Sequence, residues 1–240
     1  MAENMSTSRS YSFVLLAVIG WGLSTTFIEF GLPYIDAQPF LAIRFIMATL
    51  IMTPFILATR KDEIISLFKT RWIYLIAIFE TAGLISQYIA QDLNASAGIS
   101  ALISMMFIII LPYLSFVFLH ERFHLNHGIA IILGFLGVFF IVTEGDLAKL
   151  GSASALAIFI LLFTATAYAF YQLSTSKYTR FENPQVDSLS LFYAVMILIS
   201  IISLFSALIF QPQGFSTIKI DAWLWILLLA IFSTIIAFTL

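Results

Sequence analysis

The sequence predicts an all-α, polytopic membrane bundle with eight transmembrane helices, and three observations carry that prediction. Hydrophobic residues fill 61% of the 240 positions and charged ones only 10%, with a mean hydropathy of +1.04, whereas soluble domains carry about 25% charged residues. Apolar runs long enough to cross a hydrocarbon core of about 30 Å, which takes about 20 helical residues, recur along the chain. The polar breaks between them concentrate basic residues in alternate loops.

The spans lie at 11–33, 40–59, 72–92, 97–119, 127–144, 153–176, 188–210 and 222–240. The first is too long for a signal-peptide apolar region, and no small-residue cleavage site follows a short core, so it reads as a retained helix. Arg9 precedes it; Arg60, Lys61, Lys69 and Arg71 follow the second helix, Arg122 the fourth, and Lys177 and Arg180 the sixth. These all fall on one side, while the other holds only Lys149 and Lys219, and Arg44 lies inside a helix. Basic residues accumulate in cytoplasmic loops, so the expectation is a multi-pass plasma-membrane protein with a cytoplasmic N-terminus.

Composition also excludes. A net charge of −2 and a pI near 5.9 provide no basic field for nucleic acid. The absence of cysteine removes disulfide and thiol chemistry. Asn94-Ala95-Ser96 fits a glycosylation sequon but hugs the membrane, and reads as incidental. His120-Glu121-Arg122-Phe123-His124 matches H-E-x-x-H, in which two histidines at i and i+4 on one helix face would ligate zinc and the glutamate would act as general base. Against that, Leu125-Asn126 suggests a helix end, and the one further histidine, His127, lies three residues on. An intramembrane zinc metalloprotease is therefore the alternative to a non-enzymatic function, and a non-transporting scaffold is a third reading.

Polar side chains inside a bilayer are costly and tend to face a bundle interior or a wet cavity. Trp21, Thr25 and Glu29 recur at i, i+4 and i+8 on the first helix, on one face. Glu80, Gln87 and Gln91 form a second stripe on the third helix; Thr164, Tyr168, Tyr171, Gln172 and Thr175 form one on the sixth. Aligned stripes suggest a solute cavity with Trp21, Thr25, Glu29, Glu80, Gln87, Gln91, Tyr168, Tyr171 and Gln172 as binding residues. Hydrogen bonds that merely glue helices together are the competing account. Glu80 lies eight residues, about 12 Å, from Trp72 and so near the bilayer centre. An isolated charge is disfavoured there, which makes its carboxyl a candidate for proton coupling. Gly134 and Gly137, with Ala130, read as a packing face on the fifth helix.

One ordered set of short motifs resembles a known family. It comprises Gly20-Trp21-Gly22, Arg44-Phe45, Ala95-Ser96-Ala97-Gly98, Pro112, Glu121-Arg122, and Gly128, Gly134 and Gly137. It resembles the EamA-type branch of the drug/metabolite transporter superfamily. The resemblance implies ten helices in a five-plus-five inverted repeat, with residues 1–147 as the first repeat and 148–240 as an incomplete second one of three helices. On that reading the chain is truncated at its C-terminus, a naturally short protein being the alternative. It also implies a secondary transporter of small organic solutes, an exporter of amino acids, amines or similar metabolites, with no cofactor and with the solute and the lipid bilayer as its partners. Phosphorylated solutes fit less well, because a phosphate in a dry cavity wants several Lys or Arg. In this family the place of Glu29 often holds a Lys, while Arg44 keeps the pattern. The two residues lie at similar depths on helices joined by a short link, so an ion pair between Glu29 and Arg44 at the outer end of the pathway is expected.

Overall fold

A computed structural model of the protein describes residues 2–120, 125–143, 146 and 154–237. Nine α-helices are formed among them: α1 Ala2–Gly31, α2 Ala37–Leu67, α3 Arg71–Asp92, α4 Ala97–Ser104, α5 Phe107–Leu119, α6 Leu125–Thr143, α7 Ala155–Lys177, α8 Ser188–Phe210 and α9 Ala222–Ala230. Single π-turns extend α7 over Tyr178–Glu182 and α9 over Ile231–Ile236. Six of the described helical segments are long and apolar enough to cross a bilayer, α4 and α5 counting as one. The expected all-α bundle is the architecture observed.

Three details depart from uniform spans. The second helix runs beyond the expected residue 59 to Leu67, with a kink at Arg60 (φ −141°, ψ 18°). The fourth span is broken: Met105 and Met106 separate α4 from α5, and the Met106 and Ile108 amides bond to the carbonyls of Ile103 and Met105, three residues back. The last span slips into a π-turn, where the Thr234 hydroxyl donates to the Leu229 carbonyl five residues earlier.

The turn between α3 and α4 shows cap chemistry written in the sequence. Asn94 adopts a left-handed conformation (φ 65°). The Ala95 amide reaches back to the Ala90 carbonyl and the Asn94 amide to that of Gln91, both at 3.0 Å, which is the double bond of a Schellman motif. Ser96 then caps α4 by accepting from the Ile99 amide. The Asn94-Ala95-Ser96 triplet thus closes one helix and opens the next.

The helices pack as two compact units, residues 1–64 with 188–240 and residues 65–187. Proximity in space therefore divides the chain differently from the repeats that the family resemblance implies, since each unit draws helices from both sides of residue 147. In the first unit, four side-chain contacts join α2 to antiparallel α8: Ser206 to Gln38 at 2.8 Å, Thr49 to Ser200 at 2.9 Å, Thr53 to Tyr193 at 2.7 Å and Ser190 to Glu63 at 2.7 Å. With no hydrophobic drive between helices in lipid, such polar rungs are what holds them in register. Gly20 lets α1 approach the last span: a Cβ there would stand 2.7 Å from the Phe232 carbonyl oxygen.

In the second unit α3 and α7 pack along their length. Ala90, Ala95, Ile99, Ile103, Ala157 and Leu161 form one buried apolar cluster, and Leu114, Ala169 and Leu173 another. Gly134 and Gly137 do not mediate close packing among the described residues: a Cβ at either position would meet open space. Gly134 instead borders an apolar groove of about 310 Å³ between α6 and the broken fourth span.

Candidate solute site

The polar stripe on α3 faces inward. Glu80, Gln87 and Gln91 are all buried, at 8%, 7% and 5% exposure, although their helix crosses an apolar region. They are buried because α7 lies against that face. The Tyr168 hydroxyl donates to Gln87 Oε1 at 2.5 Å, and the Ser86 and Thr164 hydroxyls share a hydrogen bond at 2.8 Å. The Tyr171 hydroxyl lies within electrostatic reach of the Glu80 carboxyl. Gly83 makes room for this arrangement, since a Cβ there would meet the Tyr168 ring carbons at 2.5 and 2.6 Å. Phe107 of α5 meets the same ring edge-on, at 6.4 Å between centroids. Gln172 is half-buried on α7, and the Thr175 Oγ1 is buried without a hydrogen-bond partner among the described residues.

Trp21, Thr25, Glu29 and Arg44 belong to the first unit. Thr25 is buried, while Trp21 (46% exposed) and Glu29 are exposed. Arg44 is buried inside the span. Its Nε donates to the Thr234 hydroxyl at 2.9 Å and its Nη2 to the Ser233 carbonyl at 3.3 Å, so the guanidinium binds the π-turn of the last helix. The proposed residues thus divide between the units, with Glu80, Gln87, Gln91, Tyr168, Tyr171 and Gln172 brought together in the second. None of them lines the apolar groove beside α6.

The sequence reading missed the α2–α8 rungs and the Ser86–Thr164 pair. The Thr, Ser and Tyr involved are single polar residues in apolar runs; their antiparallel pairing, Gln38 with Ser206 at one end and Glu63 with Ser190 at the other, is the signal that could have found them.

The zinc motif gains nothing from the backbone. α5 stops at Leu119, and His120 has a left-handed φ of 54°, so the first histidine does not begin the continuous helical turn that the ligand spacing needs. Glu121 to His124 lie outside the described residues.

Long apolar helices that bury polar side chains against one another define a multi-pass α-helical membrane protein. The EamA-like transporter family model matches residues 8–143, more than half of the chain, and the chain belongs to that family. No curated protein and no solved structure matches it. Membership makes the protein a small-molecule membrane transporter.

Proposed function

We propose that the protein is a secondary transporter exporting amino acids, amines or similar small organic metabolites across the plasma membrane, with Glu80 as the proton-coupling group. The observation that carries this reading is the buried row Glu80, Gln87 and Gln91 facing the tyrosines of α7. A carboxylate at the centre of a transmembrane helix costs about 2.5–3.5 kcal/mol on insertion scales, more than any gain in gluing helices, where hydrogen bonds average about 0.6 kcal/mol. A residue retained at that cost is better accounted for by a cargo or a proton than by packing.

The chemistry favours a solute that is both polar and small. The carboxyl of Glu80 suits an ammonium group, Gln87, Gln91 and Gln172 offer amides to a carboxylate or hydroxyl, and Tyr168 and Tyr171 supply aromatic faces attractive to cations. The Arg44 guanidinium is already engaged with Thr234 and Ser233, which argues against phosphorylated cargo. On this reading Glu29 and Arg44 form an ion pair within the first unit, and the repeats 1–147 and 148–240 rock against each other.

Reconstituted protein is the test. Liposomes loaded with a panel of amino acids and amines should release at least one of them faster under an opposing proton gradient, and Glu80→Gln should abolish that dependence while solute still binds. Release of none of the panel under any gradient would overturn the solute class; an unchanged gradient response in Glu80→Gln would overturn the coupling.

A further inference from the structure

The end of the second unit opposite the Asn94 turn carries a group of charges that solute transport does not use. The chain leaves α2 through Ser66 to Thr70, where the Lys69 amide bonds to the Ser66 carbonyl at 3.1 Å and the Thr70 amide to that of Leu67 at 3.0 Å. Thr70 caps α3 by accepting from the Trp72 amide, and the Tyr74 hydroxyl donates back to the Phe68 carbonyl at 3.0 Å. This fixes Lys69, Arg71 and Trp72 at the mouth of α3. Because α7 packs antiparallel to α3, its last residue, Lys177, arrives at the same place.

Both cations converge on one indole. The Arg71 guanidinium carbon lies 5.9 Å from the Trp72 ring centre and the Lys177 ammonium 5.6 Å from it. Among the described residues, the side chains of Lys69, Arg71 and Lys177 make no hydrogen bond or ion pair. Like charges gathered without an acid repel one another, and at an exposed site the indole face offsets that repulsion only in part. Among the described residues, Glu182, exposed in the following π-turn, makes no ion pair with them. The group sits at the end of two membrane-crossing helices, the depth at which tryptophans occupy the headgroup layer.

We propose that Arg71, Trp72 and Lys177, with Lys69 beside them, form a site for the phosphate of an anionic phospholipid headgroup. The occupant is lipid because the cations ring an indole that anchors in the interface, and because basic groups at helix ends draw anionic lipid. The two side chains would hold the phosphodiester from two helices at once, tying α3 to α7 at the end where the sequence places the cytoplasm. Lys177 would by itself also favour the C-terminal dipole of α7, but that role is indifferent to lipid type.

The test uses the purified full chain in detergent micelles, titrated with phosphatidylglycerol or phosphatidylcholine while thermal unfolding is followed. Half-maximal stabilisation is expected at least tenfold lower in phosphatidylglycerol, and the Arg71→Gln/Lys177→Gln double variant should lose most of that ratio while Lys61→Gln keeps it. Bilayers doped with brominated phosphatidylglycerol give a second reading on the unaltered protein, should the double variant fail to fold. Quenching should exceed that by brominated phosphatidylcholine, and the excess should vanish in Trp72→Phe. Equal response to the two lipids, or a ratio unmoved in the double variant, would overturn the site. Displacement of the lipid by millimolar inorganic phosphate would also overturn it, by showing a site for a soluble anion.

Discussion

Tyr168 is held from two sides, its ring against the bare face of Gly83 and its hydroxyl on Gln87. Removing the hydroxyl in Tyr168→Phe should cost about 0.6–1.7 kcal/mol, the range for interhelical hydrogen bonds in membranes. Gly83→Ala should cost more, about 1–3 kcal/mol, because the added methyl overlaps ring carbons and must displace Tyr168. Thermal unfolding in detergent ranks the two, and the reverse order would show that the ring moves freely. The same scale suits the proposed Glu29–Arg44 pair. Glu29→Gln and Arg44→Gln should each destabilise, and the double change by less than their sum; strict additivity would remove the pairing. Arg44→Gln should be the worse of the two, because it also strips the π-turn of its donors to Thr234 and Ser233. At this scale the sequence was readable where period and polarity coincided: Glu80 and Gln87 could be placed on an inward face from spacing alone. It was silent on Arg44's partners, which lie about 190 residues further along the chain.

Helices were legible from their apolar length; their interruptions were not. The broken fourth span is apolar on both sides of Met105, so hydropathy passes over it, and Pro112 lies too far on to account for a break at that point. Caps were legible in principle. Asn tolerates the left-handed region better than other non-glycine residues, and the same three letters that fit a sequon spell the end of one helix and the cap of the next. Asn94→Val should therefore cost about 1–3 kcal/mol through backbone strain, Ser96→Ala about 1 kcal/mol, and Asn94→Gly almost nothing. Equal loss for Val and Gly at position 94 would mean that the side chain, not the conformation, matters there. Between helices, deleting one α2–α8 rung with Thr49→Val should cost only about 0.6 kcal/mol.

At the scale of the whole molecule, the charge census predicts an orientation, and the packing of the first unit predicts which of its loops share an end. Lys219, in the connection between α8 and α9, donates from Nζ to the Pro33 carbonyl at 3.1 Å and from its amide to the Tyr34 carbonyl at 3.0 Å. That connection therefore shares an end with the short link between α1 and α2. Lys61 stands at the far end of α2. From Gln38 to Lys61 the helix climbs 23 residues, about 35 Å at 1.5 Å per residue, enough to pass through a hydrocarbon core of about 30 Å. The kink at Arg60 comes at the end of that climb and shortens it little. Since the chain contains no cysteine, Lys61→Cys and Lys219→Cys each introduce a single thiol with no background. An impermeant maleimide added to intact cells should label Lys219→Cys and spare Lys61→Cys until the membrane is opened, because the basic loops belong inside. Labelling of Lys61→Cys alone would invert the orientation and leave the fold intact. Labelling of both from one side would contradict the crossing of α2 itself, and with it the reading of this chain as a membrane-spanning bundle.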